Sequence, residues 1–271
     1  DNMKLANYIK KLKNSYRVNK KTFVFYVILR ILAILTLIRS LLTRNYESAA
    51  TCVLVLILFL VPAFVADKMD LTIPPVFQVI IFAFIFAAEI LGEINHFYVL
   101  IPGWDTILHT INGFLFAAVG FSLIYLLNRG STKFNISSFY MAIVAFCFSM
   151  TIGVLWEFFE CAMDLLVHSD MQKDFIVQTV NSVTLDPQQA GEVIHVKEIV
   201  STVINTAAGD SITIQGGFLD IGILDTMKDL LVNMIGAVVF SVIGYISLRT
   251  SKTSRVAESL MLKPNEHTDY S

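Results

Sequence analysis

Residues 138–164, SFYMAIVAFCFSMTIGVLWEFFECAMD, join a long apolar run to a cluster of acidic residues. The apolar part is about twenty residues long, and at about 1.5 Å of rise per residue such a helix crosses the ~30 Å hydrocarbon layer of a bilayer. Glu157, Glu160 and Asp164 follow at i, i+3 and i+7, so they share one helix face. Carboxylates within a membrane need water, a counter-charge or a metal, which makes this stripe a candidate functional site. The alternative is a helix that simply ends in solvated acids.

The composition of the whole chain is that of a membrane protein. Of its 271 residues, 55% are hydrophobic and only 15% are charged, and the mean hydropathy is +0.67. These values are typical of a polytopic membrane protein and exclude an ordinary soluble domain. The three cysteines lack CxxC spacing, so neither a disulfide framework nor a zinc ribbon is indicated. The first apolar run is too long for a cleaved signal peptide, and we interpret it as a retained first span.

Apolar runs predict six membrane-spanning helices, so the expected fold is an all-α polytopic bundle. A basic segment, residues 1–21, precedes the first span, and a tail that we expect to be disordered, residues 249–271, follows the last one. Spans 1 to 5 then occupy residues 22–164. The six runs lie at about residues 22–42, 48–66, 75–93, 104–127, 138–162 and 225–248.

Between spans 5 and 6, residues 165–224 differ from the rest of the chain because they are polar and rich in turn signals. Within them, residues 192–196 and 211–215 alternate between apolar and polar side chains, as short strands do. We therefore expect a small β-containing insertion at this point.

Basic residues predict the orientation of the spans. Most of the 20 Lys and Arg residues lie in the N-terminal segment, in the loops around Lys68 and Arg129, and in the tail. The positive-inside rule therefore places both termini in the cytoplasm and residues 165–224 outside the cell. The N-terminal basic stretch suits an anionic lipid surface, and the sequence gives no support for nucleic-acid binding.

Polar stripes in four spans meet at one face under this topology. Span 3 ends there, span 4 begins there, span 5 ends there and span 6 begins there. Consecutive residues of each stripe are three or four positions apart, which places them on a shared helix face. The stripes are Glu89 and Glu93 in span 3, Asp105, His109 and Asn112 in span 4, Glu157, Glu160 and Asp164 in span 5, and Asp225, Asp229 and Asn233 in span 6.

A divalent metal ion would compensate this accumulation of acids. Carboxylates crowded in a partly dehydrated pocket must be protonated, paired or bound to a cation. Oxygen ligands with one imidazole suit Mg, Mn, Ca, Zn or non-haem Fe, and the mixture does not select among these metals. The expected roles are metal ligation by Asp105, His109, Glu157, Asp225 and Asp229, general-base or other catalytic work by Glu160 and His109, an orienting donor at Asn233, and further site candidates at Glu89, Glu93 and Asp164.

Three motifs, taken together, resemble those of the bacterial inner-membrane proteins typified by YjdF. They are WDxxxHxxxG at 104–113, WExxExxxD at 156–164 and DIGxxDTxxDxxxNxxG at 220–236. The last motif is also similar to the closing helix of VanZ-like membrane proteins. The YjdF-like resemblance covers about residues 75–248 and implies a multi-pass protein of the bacterial cytoplasmic membrane. Neither family implies a particular reaction, so the resemblance supports the architecture and the choice of residues only.

Three functions fit these observations, and the sequence leaves open whether the protein is an enzyme. The first is a metal-dependent hydrolase or transferase acting on a lipid-linked or cell-envelope substrate. The second is a cation or proton-coupled transporter, because acids inside membranes commonly form ion paths. The third is a non-enzymatic accessory or sensor protein that is stabilised by the metal. The scarcity of polar residues in the inner half of the spans favours an outward-facing pocket over a conduit.

Overall fold

A computed structural model describes residues 20–129, 135–250 and 259–264 of the chain. Within these residues, six helices are long and apolar enough to cross a membrane, which confirms the all-α polytopic fold. The basic segment predicted at 1–21 lies outside the described residues except for Lys20 and Lys21. The six spans are Lys20–Leu42, Tyr46–Lys68, Pro75–Ile94, Trp104–Arg129, Ser138–Val167 and Ile223–Arg249.

Two of the spans are interrupted or altered within their length. Span 2 breaks between two helices because Pro62 cannot continue the hydrogen bonding of the preceding turn. Span 3 changes from an α-helix to a π-helix after Ile85. The helices are α1 (Lys20–Leu42), α2 (Tyr46–Leu58), α3 (Val61–Lys68), α4 (Pro75–Ile85), the π-helix π1 (Phe86–Ile94), α5 (Phe97–Leu100), α6 (Trp104–Arg129), α7 (Ser138–Val167) and α8 (Ile223–Arg249).

The chain forms two compact units. The first unit comprises Asp1–Gly153 together with Val232–Ser271, and the second comprises Val154–Leu231. The boundaries between the units therefore fall within α7 and α8.

The first unit has two apolar clusters. One lies among α1, α2 and span 3 and contains the buried rings of Phe59 and Phe82, which meet edge to face at 5.6 Å. The other lies among span 3, α6, α7 and α8 and includes Phe121 and Phe240. Small residues allow the helices of this second cluster to approach closely. A Cβ at Gly113 of α6 would collide with the backbone oxygen of Asn233, and a Cβ at Gly236 of α8 would collide with the backbone oxygen of Thr110.

Part of the predicted disordered tail is ordered in the first unit, so that expectation is wrong for residues 259–264. Leu260, Met261 and Leu262 are buried and belong to the second apolar cluster. The short strand β8 (Lys263–Pro264) pairs antiparallel with β1 (Leu71–Thr72) at the start of span 3. The tail residues 251–258 and 265–271 lie outside the described residues.

The second unit contains short antiparallel strand pairs, which confirms the prediction of a β-containing insertion. The strands predicted at 192–196 and 211–215 correspond to β4 (Ile194–Val196) and β6 (Ser211–Gln215). Each strand has one partner, and the pairs form three separate two-stranded sheets. The pairs are β2 (Ile176–Val177) with β7 (Phe218–Leu219), β3 (Val180–Ser182) with β4 (Ile194–Val196), and β5 (Ser201–Asn205) with β6 (Ser211–Gln215).

Candidate functional site

The first turns of α6 bring together an aspartate and a histidine, as the sequence predicts. Asp105 and His109 are one helical turn apart, and Oδ1 of Asp105 lies 3.4 Å from Nε2 of His109. His109 is buried, with 8% of its surface exposed, whereas the side chain of Asp105 is 28% exposed. A carboxylate beside an imidazole fixes the orientation of the ring. This pair can therefore act as a metal ligand with its orienting partner, or as a base dyad.

Two asparagines one turn deeper connect α6 to α8. Asn112 Nδ2 donates to Asn233 Oδ1 at 3.1 Å, and Asn233 Nδ2 lies 3.7 Å from the sulfur of Met150. Asn233 is fully buried, and a Cβ at Gly153 would stand 2.7 Å from its amide nitrogen. These contacts join three helices of the first unit, so the structure gives Asn233 a packing role. Its predicted role as an orienting donor in catalysis stays a prediction.

The two glutamates of span 3 lie on π1. Glu89 is half-buried and Glu93 is exposed. The wider backbone turn ends at Asn95, whose backbone and side-chain nitrogens both donate to the carbonyl of Ile90, at 3.1 and 2.6 Å. Segments of π-helix occur frequently at functional sites, which keeps Glu89 a site candidate. The sequence predicted an ordinary α-helix here, and its apolar pattern contains no signal for the change.

Two glutamates of the acidic stripe on α7, Glu157 and Glu160, belong to the second unit. Glu157 is buried, with 4% of its surface exposed. Glu160 is half-buried, and its Oε1 accepts a 2.9 Å hydrogen bond from the indole nitrogen of Trp156. A hydrogen bond to an ionised carboxylate stabilises the charged form and holds the side chain in place. Glu160, the predicted general base, thus has an orienting donor that the sequence analysis did not identify.

The third member of that stripe, Asp164, stabilises the loop that follows α7. Its Oδ1 accepts hydrogen bonds from Ser169 Oγ at 2.9 Å and from the backbone N–H of Met171 at 2.7 Å. Its Oδ2 accepts from the N–H of Gln172 at 2.8 Å. A carboxylate with three such donors is already satisfied, so Asp164 orders backbone rather than presenting a free ligand. The loop conformation supplies these donors, and residue spacing alone could not reveal them.

The acidic stripe of α8 includes a lysine, Lys228, that forms ion pairs with two aspartates. Lys228 Nζ lies 3.1 Å from Oδ1 of Asp225 and 3.6 Å from Oδ1 of Asp229. Both aspartates are buried, at 5% and 2% exposed, and Asp225 Oδ2 also accepts a 2.9 Å hydrogen bond from the N–H of Lys173. The ammonium of Lys228 additionally lies 5.9 Å from the ring centre of Phe175. The sequence analysis did not assign Lys228 this bridging position.

Asp220, which the sequence analysis did not select as a site residue, organises the start of α8. Its carboxylate accepts hydrogen bonds from the N–H groups of Phe175 at 2.6 Å, Leu224 at 2.9 Å and Gly222 at 3.3 Å. Burial raises the pKa of this carboxyl, but these backbone donors outweigh burial and lower the pKa overall. An aspartate just before a predicted helix is a signal for such a cap.

The described residues include buried and half-buried groups with the donor atoms of a metal site. Carboxylate oxygens and imidazole nitrogens are the donors that hard and borderline divalent metals take in proteins. The first unit offers them at Asp105 and His109, and the second offers them at Glu157, Glu160 and Asp229. The chemistry of this donor set fits a divalent ion.

The chain matches a known protein family. A family model described as "Predicted membrane protein (DUF2238)" matches residues 24–250, which is most of the chain. This is the family of the YjdF-like proteins, so the resemblance seen in the span motifs is confirmed. No curated protein and no solved structure matches the chain.

Proposed function

The chain belongs to this family of membrane proteins, and from that premise we propose that it is a metal-dependent hydrolase or transferase acting on a lipid-linked cell-envelope substrate. The proposed ligands are Asp105, His109, Glu157, Asp225 and Asp229. Glu160 is proposed as the general base.

The burial of ionisable side chains within spans is the observation that supports this proposal. His109, Glu157 and Asp229 expose 8%, 4% and 2% of their surfaces, although each lies on a membrane-spanning helix. Ionisable residues in spans are costly and usually serve an ion, a proton or a substrate. A divalent cation would offset the mutual repulsion of the carboxylates more strongly than a single ammonium can.

The proposed chemistry divides between the metal and the side chains. A bound divalent ion would supply Lewis acidity and lower the pKa of a coordinated water. Asp105 would hold the imidazole of His109 in one orientation. Glu160, held by Trp156, would accept a proton from the attacking water or hydroxyl.

The proposed location follows from the charge distribution and the family. We propose that the protein lies in the bacterial cytoplasmic membrane with both termini inside and residues 165–224 outside. The acidic ends of the spans would then face the outer leaflet at the level of lipid headgroups. A substrate with a lipid anchor can reach such a site by diffusion in the membrane plane. The reaction would then transfer or cleave a group at the level of the lipid headgroup.

Metal analysis of the purified protein tests the proposal. The protein is purified without chelator, and its metal content is measured by elemental analysis beside the isosteric variants Glu157→Gln and Asp229→Asn. We expect a stoichiometric divalent metal in the native protein and its loss in both variants. Glu47→Gln is the matched control, because Glu47 is an exposed carboxylate in the first turn of α2. Native levels of metal in both site variants would reject the proposed ligands. Loss of the metal in both variants would support them, and turnover is then sought with lipid-linked phosphates and esters.

The ion pairs of Lys228 favour one second candidate, a proton-coupled or cation transporter. A lysine shared between two buried aspartates is an arrangement that ion and proton paths use. Transport predicts ion flux into proteoliposomes that Glu157→Gln and Lys228→Gln both abolish. Metal-free native protein together with such flux would replace the enzyme proposal by this one.

A further inference from the structure

Residues 260–262, which follow span 6 in the chain, are buried in the interior of the first unit, whereas Lys263 and Pro264 are exposed. Leu260, Met261 and Leu262 expose only 3%, 7% and 8% of their surfaces and share an apolar cluster with Phe121 and Phe240. We call residues 259–264 the strap. Its burial contrasts with the surrounding sequence, residues 249–271, which is polar and charged.

Two parts of the first unit contact the backbone of the strap. The N–H of Leu262 donates to Ser122 Oγ at 3.0 Å, and that hydroxyl in turn donates to the carbonyl of Ala118 at 2.7 Å. Lys263 pairs with Thr72 in the short β1–β8 ladder. Non-helical backbone is tolerated at membrane depth only where protein groups or water satisfy it. The hydroxyl of Ser122 thus satisfies one backbone N–H of the strap.

The strap lies far from the Asp105–His109 pair of the same unit. Ser122 follows His109 by thirteen residues on α6, which corresponds to about 20 Å along the helix. Polar side chains are buried along the intervening length of the bundle. They are Ser149, whose hydroxyl donates to the carbonyl of Gly113 at 2.7 Å, Asn233, and Ser241.

The β1–β8 ladder that holds the strap has only two residue pairs. A two-residue ladder is too small to be stable by itself. Burying three apolar side chains between helices gains little where lipid offers an equally apolar surrounding. Local openings of such segments cost much less than global unfolding.

We propose that residues 259–264 are a releasable strap that closes one end of the helix bundle of the first unit, and that its release admits water to Ser122 and the buried polar side chains beyond it. Access to the bundle from that end then depends on a segment of the chain itself. The proposal does not depend on metal binding or on catalysis.

Disulfide trapping tests whether the strap is in place. In a background with Cys52, Cys147 and Cys161 replaced by Ala, the variant Thr72→Cys/Lys263→Cys places thiols on register partners of the ladder. We expect rapid disulfide formation in native membranes, with the pairing verified by mass spectrometry. The control is the variant Leu42→Cys/Lys263→Cys. Leu42 is the last residue of the first span, at the opposite end of the bundle from the strap, so this variant should not form a cross-link.

Thiol labelling tests whether the strap is releasable. Ser122→Cys is labelled with a small water-soluble maleimide, alone and in the background in which the disulfide between positions 72 and 263 locks the strap. We expect the lock to slow labelling about tenfold or more, since protection scales with the population of the closed state. Ser137→Cys, exposed beside the start of α7, should label equally fast in both backgrounds.

Two outcomes would overturn the proposal. The absence of a cross-link between positions 72 and 263 in folded protein would show that the strap is not docked. Equal labelling of the Ser122→Cys variant with and without the lock would show that the strap does not control access. Neither measurement requires a tail deletion, so loss of folding in a truncated chain does not affect the result.

Discussion

The side-chain nitrogen of Asn112 donates a 3.1 Å hydrogen bond to the side-chain oxygen of Asn233, a residue 121 positions later in the chain. This bond links α6 to α8 at the level where Gly113 and Gly153 leave room for the Asn233 side chain and backbone. Hydrogen bonds between membrane helices hold helix pairs in register because lipid offers no competing partner.

Asn233→Ala should therefore destabilise the protein by about 1–2 kcal/mol, since it removes the interhelical bond and leaves Asn112 without this partner. Thermal unfolding in detergent measures the loss. Asn112→Ala and the double variant complete a mutant cycle, and non-additive losses are expected because the two side chains interact directly. Strictly additive losses would mean that the bond contributes nothing.

Gly113→Ala should destabilise the protein by about 1–3 kcal/mol, because the added methyl group meets backbone that cannot move aside. Gly120→Ala is the matched comparison on the same helix. There the added Cβ would lie 2.9 Å from Cβ and Cδ1 of Phe148, a less severe overlap than the collision with the backbone oxygen of Asn233 at Gly113. We expect the smaller shift in melting temperature for Gly120→Ala, and the reverse order would contradict the close approach of α6 and α8.

Lys228→Gln should lower stability in chelator by about 1–2 kcal/mol, because it leaves Asp225 and Asp229 buried without their ammonium; the partial exposure of Lys228 moderates this loss. Under the metal proposal, added divalent ion should stabilise this variant more than the native protein. Thermal shift titrations with Mg²⁺, Mn²⁺ and Zn²⁺ measure both effects. Lys173→Gln is the control, since Asp225 receives only the backbone N–H of Lys173. A metal response smaller than that of the native protein would count against shared use of the two aspartates.

Asp220→Ala should lower the free energy of local unfolding around Phe175 and Leu224 by about 0.5–2 kcal/mol at neutral pH. This is the usual cost of losing a helix cap. The folded pKa of Asp220 is lowered, so its contribution is complete above the unfolded value, near pH 4, and disappears as the pH falls through the folded value. The difference between native and variant proteins should therefore close in acid. Amide hydrogen exchange at Phe175 and Leu224 measures this difference in stability. The control is Asp210→Ala in the exposed β5–β6 turn. A difference independent of pH would exclude the charge as its source.

The spans were predictable because bilayer thickness fixes the length of an apolar run. Span 6 was expected at 225–248 and forms Ile223–Arg249. The acidic stripes follow from helical periodicity alone, which is why Asp105 and His109 were placed together correctly.

Tertiary contacts were not predictable in this way. The sequence around the strap is polar and does not predict an ordered segment. The order is seen only in the structure, where the N–H of Leu262 donates to Ser122 Oγ. The strand partners at 180–182 and 201–205 were missed because strand pairing joins residues that local patterns do not connect. Spacing predicts a site position for Asp164, but it cannot show that loop amides already donate to this carboxylate.

The π-helix of span 3 gives this part of the chain a tolerance to changes in length. Each π-type hydrogen bond encloses one residue more than an α-type bond, so π1 accommodates an extra residue within an otherwise regular span. Loss of a single residue between 86 and 94 can be absorbed by a return to α-helical bonding, which leaves α4 and the α5–α6 turn in place. Single-residue insertions and deletions among family members are therefore expected to concentrate between 86 and 94.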